Sequence, residues 1–243
     1  MKEKVLILAS VASMIDQFNI PNIKLLQNIG YEVHVACNFE KGSSCSFEKI
    51  EILKELLKKL NVKCYQINFE RNILKIGNNL KAYKEVKNIL TENKYKFLHC
   101  HSPIGGVIGR IAGYKTQTKV IYTAHGFHFF KGAPLINWLL YYPIEKYLSK
   151  YTDILITINQ EDYKRARTFS AKKVEYIPGV GIDIEKIKNI KVNKKEKRVE
   201  FGLNEENVVL LSVGELNKNK NHSVVIKALA KINNPNIYYL ICG

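Results

Sequence analysis

Short apolar runs alternate with helix-period segments along most of this chain, and that alternation restricts the fold more than any other feature. Residues 5–9 form a continuous apolar run, and 31–36, 62–67, 97–101, 119–124, 153–158 and 174–177 read as further strands. Between them lie segments with apolar residues at helical spacing. One runs over 21–29 and ends at Gly30, where a helix C-terminus favours a left-handed residue. Others cover 48–60, the region of Leu80 to Leu90, a stretch from Pro103 through Ala112, and 161–168 behind the capping residue Asn159. Strands separated by helix-length crossovers run parallel, and a parallel sheet needs helices on both faces. The expected class is therefore α/β.

In such sheets ligands bind beyond the carboxyl ends of the strands. The expected strand exits are 10–13, 38–42, 101–106, 125–132, Asn159 and 178–181. The richest is the stretch ending in His125, Gly126, His128, Lys131 and Gly132, with His125 best placed to face a ligand. His99 and His101 alternate along one strand and so share a face, which invites a metal reading together with His125. A carboxylate or cysteine ligand is missing nearby, so no metal is expected. Gly105 and Gly106, just after Pro103, suit either amides turned toward a phosphate or sugar, or a tight turn before a close-packed helix. Ser13 lies in the exit of the first strand. The chain has no GxSxG, GxGxxG or GxxxxGK[ST] motif, so hydrolase, dinucleotide and P-loop readings have no support.

Residues 135–151 combine Trp138, Tyr141, Tyr142, Tyr147 and Tyr151 with Lys146 and Lys150, and Pro143 is expected to kink or restart the helix. Aromatic residues beside lysines suit a helix at a bilayer interface, and equally a core helix. The balance of 38 Lys+Arg against 22 Asp+Glu gives a net charge of +16. An excess of that size suits an anionic partner, although the lysines are spread along the chain and also serve solubility. Nucleic acid is not expected, because neither a stacking motif nor a recognition helix accompanies the charge. The five cysteines form no CxxC pair, which favours a reducing cytoplasm. The N-terminus does not read as a signal peptide, and no run reaches the roughly 18 apolar residues of a membrane span.

Residues 182–206 read as a basic linker with one short helix, and 207–243 as a strand, helix and strand. One such unit cannot bury both faces of its sheet, so this part is expected to be the opening of an incomplete domain. Its loop carries Gly214, Lys218 and Lys220 ahead of a helix N-terminus, which suits either a diphosphate or an exposed basic turn.

Four stretches carry a resemblance: His99–Gly106 (HCHSPIGG), Tyr122–Gly132 (YTAHGFHFFKG), Tyr176–Asp183 (YIPGVGID) and Ser212–His222 (SVGELNKNKNH). In this order they resemble the family 4 glycosyltransferases of bacterial exopolysaccharide and capsule assembly. The resemblance implies a GT-B architecture of two Rossmann-like domains with an intervening cleft. Residues 1–181 would be the acceptor-binding domain and 207–243 the start of the nucleotide-sugar domain. It implies retaining transfer of a hexose or N-acetylhexosamine from a nucleotide sugar, UDP-linked, to a polyprenyl-diphosphate-linked saccharide, without a cofactor, at the cytoplasmic face of the membrane. His125 would be the catalytic residue. Ser13, Pro103, Gly105, Gly106, Gly126, His128 and Lys131 would contact the acceptor, and Gly214, Lys218 and Lys220 the donor diphosphate. Glu215 stands where the family often has arginine, and the acidic motif for the donor sugar is not reached by residue 243. The chain is therefore expected to need the rest of a longer protein or a complementing chain. The alternative is a non-catalytic domain that binds lipid-linked glycan or a partner chain.

Overall fold

The computed structural model describes residues 2–42, 44–70, 76–182 and 184–243. The chain divides into two compact units, Met1–Gly181 and Ile182–Gly243. The strands of the first are β1 (Lys4–Leu8), β2 (Glu32–Cys37), β3 (Lys63–Gln66), β4 (Phe97–His101), β5 (Lys119–Ala124), β6 (Ile154–Thr157) and β7 (Lys173–Tyr176). All pair in parallel, in the order β3-β2-β1-β4-β5-β6-β7. The helices are α1 (Ala12–Phe18), α2 (Ile20–Asn28), α3 (Phe47–Lys59), α4 (Ile76–Asn93), α5 (Pro103–Thr116), α6 (Leu135–Ser149) and α7 (Gln160–Ala166).

Alternate residues of each strand feed two cores, because successive side chains point to opposite faces. Val5, Ile7, Val33 and Val35 pack with Ile23 of α2 and Ile50, Leu53 and Leu57 of α3. Leu6, Leu8, Leu98 and Tyr122 pack with Val86 of α4 and Ile108 of α5. The chain moves outward from β1 to β3, then returns through α4 to place β4 on the other side of β1. That reversal opens a crevice at the carboxyl ends of β1 and β4.

Close approach of α5 to the sheet depends on its glycines. A Cβ on Gly106 would stand 2.5 Å from the Tyr122 ring, and one on Gly113 would stand 2.3 Å from Val120 Cγ2. The same helix carries Arg110 into the interior with no solvent exposure. Its Nε donates to the Gly106 carbonyl at 2.9 Å and its Nη1 to Glu145 of α6 at 2.8 Å. The guanidinium lies 4.3 Å from the centre of the Tyr122 ring, whose hydroxyl donates to the same carboxylate at 3.3 Å. One buried ion pair thus fastens α5, β5 and α6 together.

Three elements differ from the sequence reading. The first-strand exit is shorter than 10–13, because α1 begins at Ala12. Val11 provides no side-chain cap, and burial of Ala12, Ser13 and Ile15 supports the helix instead. Pro143 does not restart α6, which is one helix over Leu135–Ser149 with the proline inside it. The basic stretch holds two short helices, α8 (Ile184–Lys188) and α9 (Lys194–Glu200), the second capped by the Asn193 side chain. The second unit continues with β8 (Val208–Val213), α10 (His222–Ile232) and β9 (Ile237–Cys242), and β8 pairs in parallel with β9. Asp183, the last residue of the stretch Tyr176–Asp183, lies outside the described residues.

Candidate functional site

The exits of β1 and β4 are tied together across the crevice. The Ser10 N–H donates to Ser102 Oγ at 3.1 Å, and that hydroxyl also donates to the His101 carbonyl. Ser102 has φ +66 and ψ +155, a conformation L residues rarely adopt. Gly105 lets the next turn close on this contact, since a Cβ there would stand 2.9 Å from Ser102 Oγ and 3.4 Å from the Ser10 nitrogen. Gly105 and Gly106 are both buried, pressed against the β1 exit and Tyr122 respectively. Pro103, at the first position of α5, is exposed.

Along β4 and the end of β5 runs a ladder of polar side chains. His99 and His101 share a face, with ring centroids 4.2 Å apart. In the parallel register His99 faces Ile121 and His101 faces Thr123. Each histidine nevertheless bonds two residues further along β5, because its side chain leans in the strand direction. His99 Nε2 meets Thr123 Oγ1 at 2.8 Å, and His101 Nδ1 meets His125 Nε2 at 3.1 Å. Phe18, from the last turn of α1, covers the His125 ring at 5.1 Å, so α1, β4 and the exit of β5 all contribute to its setting. Burial pushes all three imidazoles toward the neutral form. His99 falls to about 4, with His125 adding to the effect of burial. His101 lies well below the usual histidine range, through burial and then through His99 and His125. His125 is lowered by burial alone and is only half-buried.

The loop after His125 is clamped to the start of α7. The Phe127 N–H donates to Asp162 Oδ2 at 2.9 Å, the Lys131 N–H donates to Glu161 Oε1 at 2.6 Å, and Asn159 caps α7 through the Asp162 N–H. Phe127 and Phe129 turn inward and stack at 4.8 Å, while Gly126, His128 and Lys131 are exposed. Gly126 has φ +131, which lets the strand turn away after the histidine. His128 stacks on Tyr141 of α6 at 4.5 Å, away from the His101–His125 contact. Ser13 is buried in the first turn of α1. Half of the aromatic helix is core, with Trp138, Tyr141 and Tyr142 packed inward. Leu135, Ile136, Leu139 and Tyr147 remain exposed.

In the second unit Gly214 follows β8 with φ +151, and the stem of Lys220 lies over it, 3.3–3.5 Å from the place of a Cβ. Lys218 and Lys220 are exposed in the loop before α10, and Glu215 is held by the Asn217 side-chain amide. Among the described residues no group of three or more histidine, cysteine or acidic side chains is arranged to hold a metal ion. Two contributors escape a strand-by-strand reading of the sequence: His101 as the partner of His125, and Phe18 as its cover. The alternation of His99 and His101 was the available signal for the first, but naming the partner requires the register of β4 on β5.

Residues 4–159 match the family described as Glycosyl transferase 4-like, and residues 193–243 match Glycosyl transferases group 1. Glycosyltransferase EpsD, so named in Bacillus subtilis (strain 168), is 38% identical over 236 residues, covering 95% of this chain and 58% of that protein. The Escherichia coli UDP-Gal:alpha-D-GlcNAc-diphosphoundecaprenol alpha-1,3-galactosyltransferase is 27% identical over 219 residues, covering 88% and 53%. Among solved structures, Anabaena Alr3699/HepE in complex with UDP and glucose superposes with a TM-score of 0.68 at 16% identity, over 98% of this chain and 60% of that one. This last likeness shows the fold, which is the Rossmann-like fold of GT-B proteins. The chain spans a little over half the length of the curated relatives it matches.

Proposed function

Because the chain belongs to the glycosyl transferase 4-like family, we propose that it serves a retaining transferase of surface-polysaccharide assembly. The donor is a UDP-linked hexose or N-acetylhexosamine, and the acceptor a polyprenyl-diphosphate-linked saccharide. One observation carries this reading. A half-buried His125, shifted by burial toward the neutral form, stands at the carboxyl edge of the sheet beside the strand-order reversal, where folds of this kind bind substrate. The named activity of the E. coli relative and the UDP and glucose of the HepE complex support the two substrate classes.

On this reading the first unit receives the acceptor around His125, and the exposed Pro103, Gly126, His128 and Lys131 and the buried Ser13 are the further acceptor residues to test. Gly105 and Gly106 contribute by letting α5 close against the sheet. Transfer breaks the bond between the anomeric carbon and a phosphate oxygen and forms one from that carbon to an acceptor hydroxyl oxygen, whose proton goes to the departing nucleoside diphosphate as negative charge gathers there. Lys220, with Lys218 beside it at the N-terminus of α10, neutralises that charge, and Gly214 leaves room for the Lys220 stem. The acceptor's lipid brings the protein to the inner face of the cell membrane. Leu135, Ile136 and Leu139 of α6, with Lys146 and Lys150, form the surface that meets it. Among the described residues no helix is long and apolar enough to cross a membrane.

The test is transfer by the full product of the gene, supplied with UDP-sugars and a diphosphoundecaprenol-linked saccharide. Acceptor-dependent release of UDP is expected. Lys220→Ala should weaken UDP binding by roughly 10- to 100-fold, the scale of a lost charged hydrogen bond at about 1.5–3 kcal/mol. His125→Ala should lower turnover with UDP binding unchanged. No UDP release from any sugar nucleotide, or full activity in His125→Ala, would end the proposal.

A further inference from the structure

We infer that His101 is a positioning residue: its Nδ1–H donates to His125 Nε2 and so fixes His125 as the Nδ1–H tautomer. His101 closes β4 and is 2% exposed. Its Nδ1 lies 3.1 Å from His125 Nε2, so one of these two nitrogens carries the shared hydrogen. Its own Nε2 is buried and has no hydrogen-bond partner among the described residues. That asymmetry decides between the two arrangements.

If His125 donated, a neutral His101 would carry its hydrogen on Nε2, leaving a buried N–H without an acceptor. Buried orphan N–H groups are rarer than under-satisfied acceptors, so the arrangement that leaves only a lone pair unpaired is favoured. If His101 donates, its hydrogen sits on the bonded nitrogen and only a lone pair faces the interior. The His99 ring, tilted against it at 4.2 Å and bonded through Nε2 to Thr123, leaves the His101 ring in place to make this bond.

The consequence falls on His125. Its Nε2 is used as an acceptor, and its hydrogen resides on Nδ1. The ring therefore offers a ligand a hydrogen-bond donor, and it does not act as the base for a bound hydroxyl. This consequence for a transferred sugar rests on the transferase reading, whereas the tautomer stands or falls without substrate.

The experiment is a long-range 1H–15N spectrum of the 243-residue chain with 15N-labelled histidine, assigned with single-site variants of the six histidines. His125 is expected with a protonated Nδ1 and a bare Nε2, and His101 with a protonated Nδ1. A protonated Nε2 on His125 in the unmodified chain overturns the inference. His101→Asn retains an amide N–H near the position of Nδ1 and is expected to keep the His125 tautomer. His101→Leu removes the donor, and a protonated Nε2 is expected to appear on His125. If the Leu variant leaves His125 unchanged, the positioning role is lost. If it does not fold, the unmodified and Asn spectra decide. Loss of transfer activity bears on the function alone, because none of these readings uses substrate.

Discussion

Removing Glu145 should unfasten α6 from the sheet, and its cost follows from the surroundings of Arg110. The Arg110 side chain has no solvent exposure, against 10% for that of Glu145. Glu145→Leu would leave a guanidinium buried over Tyr122 with its counterion gone, and breaking a buried pair from one side costs about 3–5 kcal/mol. For a unit of this size that corresponds to about 6 to 20 °C in Tm. Arg110→Met should cost less, because Glu145 keeps some access to water and the Tyr122 hydroxyl as a donor. The double variant Arg110→Met/Glu145→Leu should recover most of the loss, since no buried charge remains. Trp138, the chain's one tryptophan, lies on α6 with its ring 5.6 Å from Phe129, so its fluorescence reports on this unit during denaturant unfolding. A Glu145→Leu loss under about 1 kcal/mol, or a double variant no better than that single one, would refute the argument that this pair governs the docking of α6.

Gly106→Ala should destabilise the first unit by about 1–3 kcal/mol through overpacking against Tyr122, measured by the same unfolding curves; an unchanged midpoint would show that α5 can retreat from the sheet. Stability should fall as pH drops from about 6.5 toward about 4, because the unfolded chain takes up protons that His99 refuses when folded. His99→Leu should flatten that dependence, and a native chain equally stable at pH 7 and pH 5 would contradict it. Leu139→Asp should reduce sedimentation of the protein with anionic vesicles and leave UDP binding intact; equal sedimentation would remove α6 from the membrane contact.

The parallel sheet was legible because its inner strands are buried on both faces and therefore read as short apolar runs such as 5–9. Gly30 behaved as its position after an apolar helix implied, with φ +102. Other features depend on tertiary contacts that leave no local trace. A helix arginine ordinarily faces water, so nothing around Arg110 announces a buried pair with a residue 35 positions away. α1 has no capping side chain and forms because its apolar residues are covered. Within the site, the strand-end position of His125 could be read directly. The partnership with His101 could not, because a one-residue change in strand register would turn each histidine to the opposite face. Gly105 and Gly106 fitted two readings in sequence, and only the neighbouring Ser102 hydroxyl and Tyr122 ring show how tightly they pack.

The central claim is transfer of a sugar to a lipid-linked acceptor with retention. It is tested most directly by isolating the lipid-linked product made by the gene's full product from an α-linked UDP-sugar and determining its mass and anomeric configuration. The account predicts an acceptor extended by one hexose or N-acetylhexosamine in α linkage. A β-linked product would contradict retention, and an acceptor unchanged with every UDP-sugar would contradict the transferase reading itself.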